Sequence, residues 1–340
     1  MTISTPKASA HIASGCTYDS IRPPTAGPMV LHVPGRPGRG GNARRAGRDQ
    51  GHHGLVTLIS AAAAVNAAVS VAARFGIAGT EPVILADGAN MIIYLSPSPV
   101  VAKVAASTTA VRPDSAAWLQ RELDVASFLA RAGAPVMVPS PEVPVCVHRA
   151  DGQVMSFWRY LEPAGTALPD EAVIGTMLRD LHAVLRGYPG AVPVLAPLRD
   201  IPAFLARPQT RLSDRDEAAL ASAFTRLTAE LDAAPGTRQV LHGDAGAGNL
   251  MATGTGWVWH DFEDTCSGPV AWDLAPSAAS RYLDGARVLA AYGDGVDPGQ
   301  LAVCQQLRLL HLTIWYNLYA ERLPELAPRA AELLASWPPG

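Results

Sequence analysis

The hydrophobic rhythm of this chain changes once, near residue 165, and that change limits the folds open to it. On the N-terminal side apolar residues come in short runs at 82–86, 91–95, 100–105, 143–148 and 154–160. Turn sequences divide them: Asp87-Gly88-Ala89-Asn90 between the first two, Asp151-Gly152 between the last two. A helical stretch at 118–131 interrupts the series, with Leu119, Leu123, Ala126 and Ala130 on one face and Gly133 as its stop. These residues predict a five-stranded antiparallel sheet with one inserted helix. Beyond Pro169 the period lengthens to that of helices, at 171–186, 214–233, 272–282, 285–292, 298–321 and 324–337. The exception is 239–269, an irregular stretch containing one apolar run at 257–259. A small sheet lobe followed by a larger helical lobe is an α+β build.

The 340 residues suffice for two such units, which we place at 55–164 and 165–340. Residues 1–54 hold 9 Gly and 6 Pro, an Arg-rich run at 36–48 and no hydrophobic period, a composition that predicts a disordered extension. The charge-free stretch 55–73 is mostly alanine, broken by Ser60, Asn66 and Ser70. Its residues Leu58, Ala62, Val65, Val69 and Ala72 share a helical face. It reads as a soluble amphipathic helix in preference to a membrane or export segment.

Charged residues make up only 17% of the chain and the net charge is −3, which excludes a nucleic-acid binder working through bulk charge. The sign divides, with 14 basic and 10 acidic residues up to 164, then 13 and 20. That split suits an anion held on one side and a cation or metal on the other. Cys16, Cys146, Cys266 and Cys304 are too scattered for a disulfide framework or a zinc site, so a reduced cytoplasmic protein is expected. Among 27 basic residues only Lys7 and Lys103 are lysines, so Lys103, flanked by apolar residues, stands out.

The chemistry-bearing residues concentrate in three short segments. They are Leu241-His242-Gly243-Asp244-Ala245-Gly246-Ala247-Gly248-Asn249, then His260-Asp261-Phe262-Glu263-Asp264, then Trp272-Asp273-Leu274-Ala275. Phosphoryl transfer needs a carboxylate to orient the attacking hydroxyl, oxygen ligands to hold magnesium, and a cation on the phosphates. An Asp and an Asn five residues apart on a Gly-rich loop supply the first carboxylate and one metal ligand. A second Asp after a short strand supplies the other. His242 and His260 lack partners at metal-ligand spacing, so a metal hydrolase is set aside.

The three segments in order, HGD-x4-N, DFE and WDLA, resemble the aminoglycoside phosphotransferase and choline kinase family, which has a two-lobed protein-kinase-like fold. The resemblance implies Asp244 as the catalytic base, with His242 bracing its loop and Asp273 supporting it from below. It implies Asn249 and Asp261 as Mg2+ ligands, and Lys103 on the nucleotide phosphates with Glu122 as its ion-pair partner. By position, Asp87, Gly88 and Asn90 fall in the nucleotide-positioning loop, and Phe157 and Tyr160 in the hinge beside the base. Glu263, Asp264, Trp315 and Tyr319 are candidates for substrate contact. The implied cofactors are ATP or GTP and Mg2+, and the implied partner is a small-molecule hydroxyl acceptor. Phe-Glu in place of Phe-Gly after Asp261 argues against a protein kinase with a flipping activation segment. The acceptor stays open between an aminoglycoside and a sugar, amino alcohol or other metabolite, because only Glu321, Glu325 and Glu332 follow residue 298 to bind a polycation. A non-catalytic nucleotide-binding regulatory module is the alternative of a different class.

Overall fold

The computed structural model describes residues 60–208, 212–234 and 236–338. The extension at 1–54 and Leu58 lie outside the described residues. Helix α1 (Ala61–Ala73) opens the fold, its N-terminus capped by the Ser60 side chain. Strands β1 (Glu81–Asp87), β2 (Asn90–Ser96), β3 (Val100–Ala105), β4 (His148–Ala150) and β5 (Gln153–Arg159) form one sheet in the order β1-β2-β3-β5-β4, antiparallel throughout. Helix α2 (Ser115–Arg131) is inserted between β3 and β4. Asp151 (φ 49°) and Gly152 (φ 75°) are both left-handed, as a tight two-residue hairpin requires. The strand expected at 143–148 is shorter and later, because Pro141 and Pro144 lack the N–H a ladder needs.

Strand alternation sorts the sheet's two faces. Met91, Ile93, Leu95, Ala102, Val104, Met155 and Phe157 pack beneath α1, while Ile92, Tyr94, Val101 and Trp158 face the helical lobe. Lys103 pairs in register with Ile92 and Ser156 and shares that second face. In α1 the inward residues are Ala64, Ala67, Ala68, Val71 and Ala72. Ala62, expected inward, is exposed. In a helix this rich in alanine the polar residues set the rotation: Asn66 and Ser70 point to solvent and the opposite side is buried. Among the described residues no helix is long and apolar enough to cross a membrane.

The helical lobe comprises α3 (Glu171–Leu185), α4 (Asp200–Leu205), α5 (Asp214–Ala233), α6 (Val270–Ala278), α7 (Gly285–Tyr292), α8 (Pro298–Ala320) and α9 (Ala327–Ala335). Helix α8 is its axis, packed against α4, α5, α6 and α9, with Leu307, Leu310 and Ile314 in the same core as Trp272. Helix α4 was not among the expected helices; its Pro202 lies in the first turn, where the missing N–H is harmless. The irregular stretch at 239–269 contains two small ribbons: β6 (Gln239–Leu241) pairs with β9 (Cys266–Gly268), and β7 (Leu250–Thr253) with β8 (Gly256–Trp259).

Helices α3 and α7 cross at Gly175, where a Cβ would lie 2.2 Å from the Val288 carbonyl oxygen. Gly175→Ala is therefore expected to push the helices apart and lower stability by about 1–3 kcal/mol in denaturant titration. An unchanged midpoint would show that the crossing yields freely.

Candidate active site

The turn from β6 into β7 carries the Gly-rich loop, and Asp273 on α6 sets its shape. The buried Asp273 carboxylate accepts from the backbone N–H groups of His242 (2.8 Å) and Gly243 (2.9 Å). His182 on α3 donates to the same carboxylate through Nε2 at 2.9 Å, and Tyr292 donates its hydroxyl to His182 Nδ1 at 2.9 Å. Burial opposes the charge on Asp273, yet His182 and the backbone donors hold its carboxyl below the usual range.

Gly243 has φ 91°, and a Cβ there would lie 1.9 Å from the Asp264 carbonyl oxygen, so both conformation and space demand glycine. The Gly243 carbonyl accepts from Trp272 Nε1 at 2.7 Å and from Arg308 at 3.1 Å. His242 is fully buried and donates from Nε2 to the His260 carbonyl at 3.0 Å, tying the loop to the segment that carries Asp261. Burial lowers the His242 pKa and takes that of His260 down to about 4, so both rings are neutral at pH 7.

Asp244 emerges from this brace with its side chain 31% exposed. Asn249 donates its amide to the Asp244 carbonyl oxygen (2.7 Å) and to Asp244 Oδ2 (3.1 Å), which leaves the Asn249 side-chain oxygen turned away as a ligand. The other Asp244 oxygen is paired with Arg308 of α8. The His260 N–H donates to the Asn249 carbonyl at 3.0 Å, linking the two halves of the site.

Asp261 is a non-glycine residue in the left-handed region (φ 68°, ψ 58°), a conformation that costs energy and recurs at functional sites. Its carboxylate lies 2.5 Å from Lys103 Nζ, which also meets Glu122 of α2 at 2.8 Å and Glu263 at 3.0 Å. Burial works against the lysine's charge, but the three carboxylates raise its pKa well above the ordinary value. Burial likewise opposes Asp261 ionisation, and Lys103 still brings that carboxyl down to about 2. Glu122 goes the other way, raised by its burial against the pull of Lys103. Asn90, at the start of β2, reaches the same cluster and donates to Glu263 at 2.8 Å. A cavity of about 140 Å³ opens on the Gly248 side of the catalytic loop, bordered by Gly165, Leu168, Gly248, Met251, Trp257 and His260.

The structure thus gathers Asp244, Asn249, His242, Asp273, Asp261, Lys103, Glu122, Glu263 and Asn90 in one region. Other candidates stand elsewhere. Phe157 packs under α1, on the sheet face away from Lys103, because register puts it beside Ala102. Tyr160 is on the facing side, its ring stacked on Tyr94 at 3.9 Å. Asp87 and Gly88 are tied to Arg322, beyond the end of α8, by an ion pair (2.5 Å) and a bond to the Gly88 carbonyl (3.3 Å). Trp315 and Tyr319 are 3% and 5% exposed, core residues in place of pocket walls. Glu263 and Asp264 both pair with Arg112, at 3.0 and 2.8 Å.

Sequence reasoning missed Arg112, Asp200, His182 and Arg308. Arg112 is buried, paired with Asp200 at 2.7 Å and stacked on Trp118 at 3.7 Å. Nothing in the local sequence marks Arg112, Asp200 or His182. Arg308 had a signal: it is the one charged residue in the 23-residue helix α8.

The sequence model of the phosphotransferase enzyme family matches residues 96–307, and the chain belongs to that family. The GDP and kanamycin complex of APH(2")-IIia superposes with a TM-score of 0.56 at 18% identity, over 78% of this chain and 96% of that one. Amicoumacin kinase hAmiN, solved with AMP-PNP and Ca2+, gives 0.54 at 13% identity over 76% and 89%. Choline kinase LicA from Streptococcus pneumoniae gives 0.53 at 17% identity over 80% and 100%. The fold is therefore the two-lobed, protein-kinase-like α+β fold expected from the sequence. A search of the curated proteins returns no match.

Proposed function

We propose that the chain transfers a phosphoryl group from ATP or GTP, with Mg2+, to a hydroxyl of a small molecule. The observation that carries this reading is the junction of the Asp244–Asn249 loop with the Lys103–Asp261 cluster through the His242 and His260 bonds. Asp244, oriented by Asn249 and Arg308, accepts a hydrogen bond from the acceptor hydroxyl and takes its proton late in the transfer. Lys103, steadied by Glu122, meets the phosphate oxygens.

The donor set suits magnesium. The Asn249 side-chain oxygen is left free by the amide's bonds to Asp244, the Asp261 side chain remains 38% exposed, and hard oxygen ligands are what this ion prefers. When bound, the ion would neutralise charge on the phosphates. Asn90 joins the Lys103 cluster through Glu263, and the cavity beside Gly248 and His260 supplies room toward the linker after β5. The APH(2")-IIia and hAmiN structures, solved with GDP and with AMP-PNP and Ca2+, support a nucleotide and a divalent ion here. A cytoplasmic location accords with the scattered free cysteines Cys146, Cys266 and Cys304.

The test incubates the full chain with magnesium, ATP or GTP and a mixed panel of alcohols, sugars and aminoglycosides, and follows phosphate gain by mass spectrometry. Transfer to a hydroxyl is expected. Nucleotide binding with neither transfer nor hydrolysis would favour a regulatory module.

A further inference from the structure

Resting on the reading above, we infer that Arg322 is a positioning residue for nucleotide binding. From the helical lobe it clasps the β1–β2 turn, which keeps Asn90 on Glu263 and so lets Lys103 yield to phosphate.

The clasp itself joins three points with one guanidinium. Arg322 pairs with Asp87 at 2.5 Å and donates to the Gly88 carbonyl at 3.3 Å and to Ser107 Oγ at 2.8 Å. Asp87 and Gly88 belong to the β1–β2 turn, and Ser107 follows β3, the strand that carries Lys103. The base of the clasp is fixed. The Arg322 N–H donates to the Tyr319 carbonyl at 2.9 Å, and the neighbouring Glu321 is forked by Arg207 at 2.9 and 2.8 Å.

The turn needs such a hold. The β1–β2 ladder slips register between Ile84 and Ala86, so strand pairing by itself leaves the place of the turn loosely set. At the turn, Thr108 adds two bonds: its N–H donates to the Ala89 carbonyl at 3.1 Å and its hydroxyl to Asn90 Oδ1 at 3.2 Å. Arg322 holds the turn at Asp87 and Gly88 and the Thr108 segment at Ser107. Asn90 thereby inherits its position from a residue on the other lobe.

Asn90 bears directly on the lysine. Its amide donates to Glu263 Oε2 at 2.8 Å, the same oxygen that lies 3.0 Å from Lys103 Nζ, while Arg112 takes Oε1 at 3.0 Å. An incoming phosphate competes with Glu263 for the lysine. A donor already on Oε2 weakens that competitor. Loss of the clasp lets the turn and Asn90 drift, leaves Glu263 Oε2 to Lys103 alone, and lowers nucleotide affinity. Arg322 touches no phosphate in this scheme; it acts through Asn90.

The experiment titrates ATP or GTP, with magnesium, into the full chain by calorimetry, and checks the fold of each variant by thermal unfolding. Arg322→Gln is expected to weaken binding by about tenfold, and Arg322→Lys, which keeps the charge without the fork, to restore part of it. Asn90→Ala should match Arg322→Gln, and the double variant should be little weaker than either, because both act on one path. Hydrogen exchange without nucleotide should quicken in Arg322→Gln at 86–92 and 105–110 and stay unchanged in α1. Unchanged affinity in folded Arg322→Gln overturns the inference, and so does full additivity with Asn90→Ala. If Arg322→Gln does not fold, Asp87→Asn carries the test: its side chain is 40% exposed, and unchanged affinity there overturns the inference equally. A wild-type chain that binds no nucleotide removes the phosphotransferase reading instead, a failure visible before any variant is made.

Discussion

Asp244→Asn should cut turnover by about 10²- to 10⁴-fold while leaving nucleotide affinity nearly unchanged. The substitution keeps the side chain's volume and one oxygen for Arg308 to bond, so the loop stays in place. It removes the negative charge that, on the proposed reading, polarises the acceptor hydroxyl, and the basicity that takes its proton. On the proposed reading the nucleotide is met by Lys103 and the Asp261 side of the site, which Asp244 does not touch directly. Steady-state kinetics with calorimetric titration of nucleotide would separate the two effects. Wild-type turnover would remove Asp244 from the role, and joint loss of turnover and binding would make it a structural residue.

Asp273→Ala is the second large effect, and it is one of stability. The carboxylate is fully buried and is the shared acceptor for the His242 and Gly243 N–H groups and His182 Nε2. Removing it strands three donors in the interior, at a cost of about 3–5 kcal/mol. Protonation does the same more gently. Because the folded carboxyl is held below its unfolded value, its contribution is present above pH of about 4 and is lost as pH falls through the folded pKa. Wild-type stability should therefore drop on acidification below that point, and an already weakened Asp273→Ala should drop less. Parallel acid titration curves for the two proteins would show that the brace carries little energy.

The residues that act within one short segment were legible before any coordinates. Asp244 and Asn249 lie five apart, and their contact follows from a tight loop. The helix over 285–292 was readable from its period alone, and the structure gives α7 those bounds. Lys103 stood out against a background of arginine, and register with Ser156 places it on the face toward the helical lobe. What stayed hidden depends on contacts between distant elements. Phe157 and Tyr160 are three residues apart, yet they lie on opposite sides of the sheet system, and only the pairing with β3 decides which. His182 and Asp273 meet across 91 positions, and Arg112 and Asp200 across 88. No local spacing encodes such meetings. Glu263 and Asp264 looked available to a ligand because sequence lists charges without their partners.

The single lysine among the described residues turns the site into its own chemical reporter. Lys103 is buried and held by three carboxylates, so an amine-directed acylating reagent reaches it only when β3 and the Asp261 segment part. Its labelling rate, followed on one tryptic peptide, would clock that opening in the native chain without any introduced probe. A phosphate-bearing occupant should slow the clock. The trace would then report occupancy in a crude mixture, before the acceptor is known.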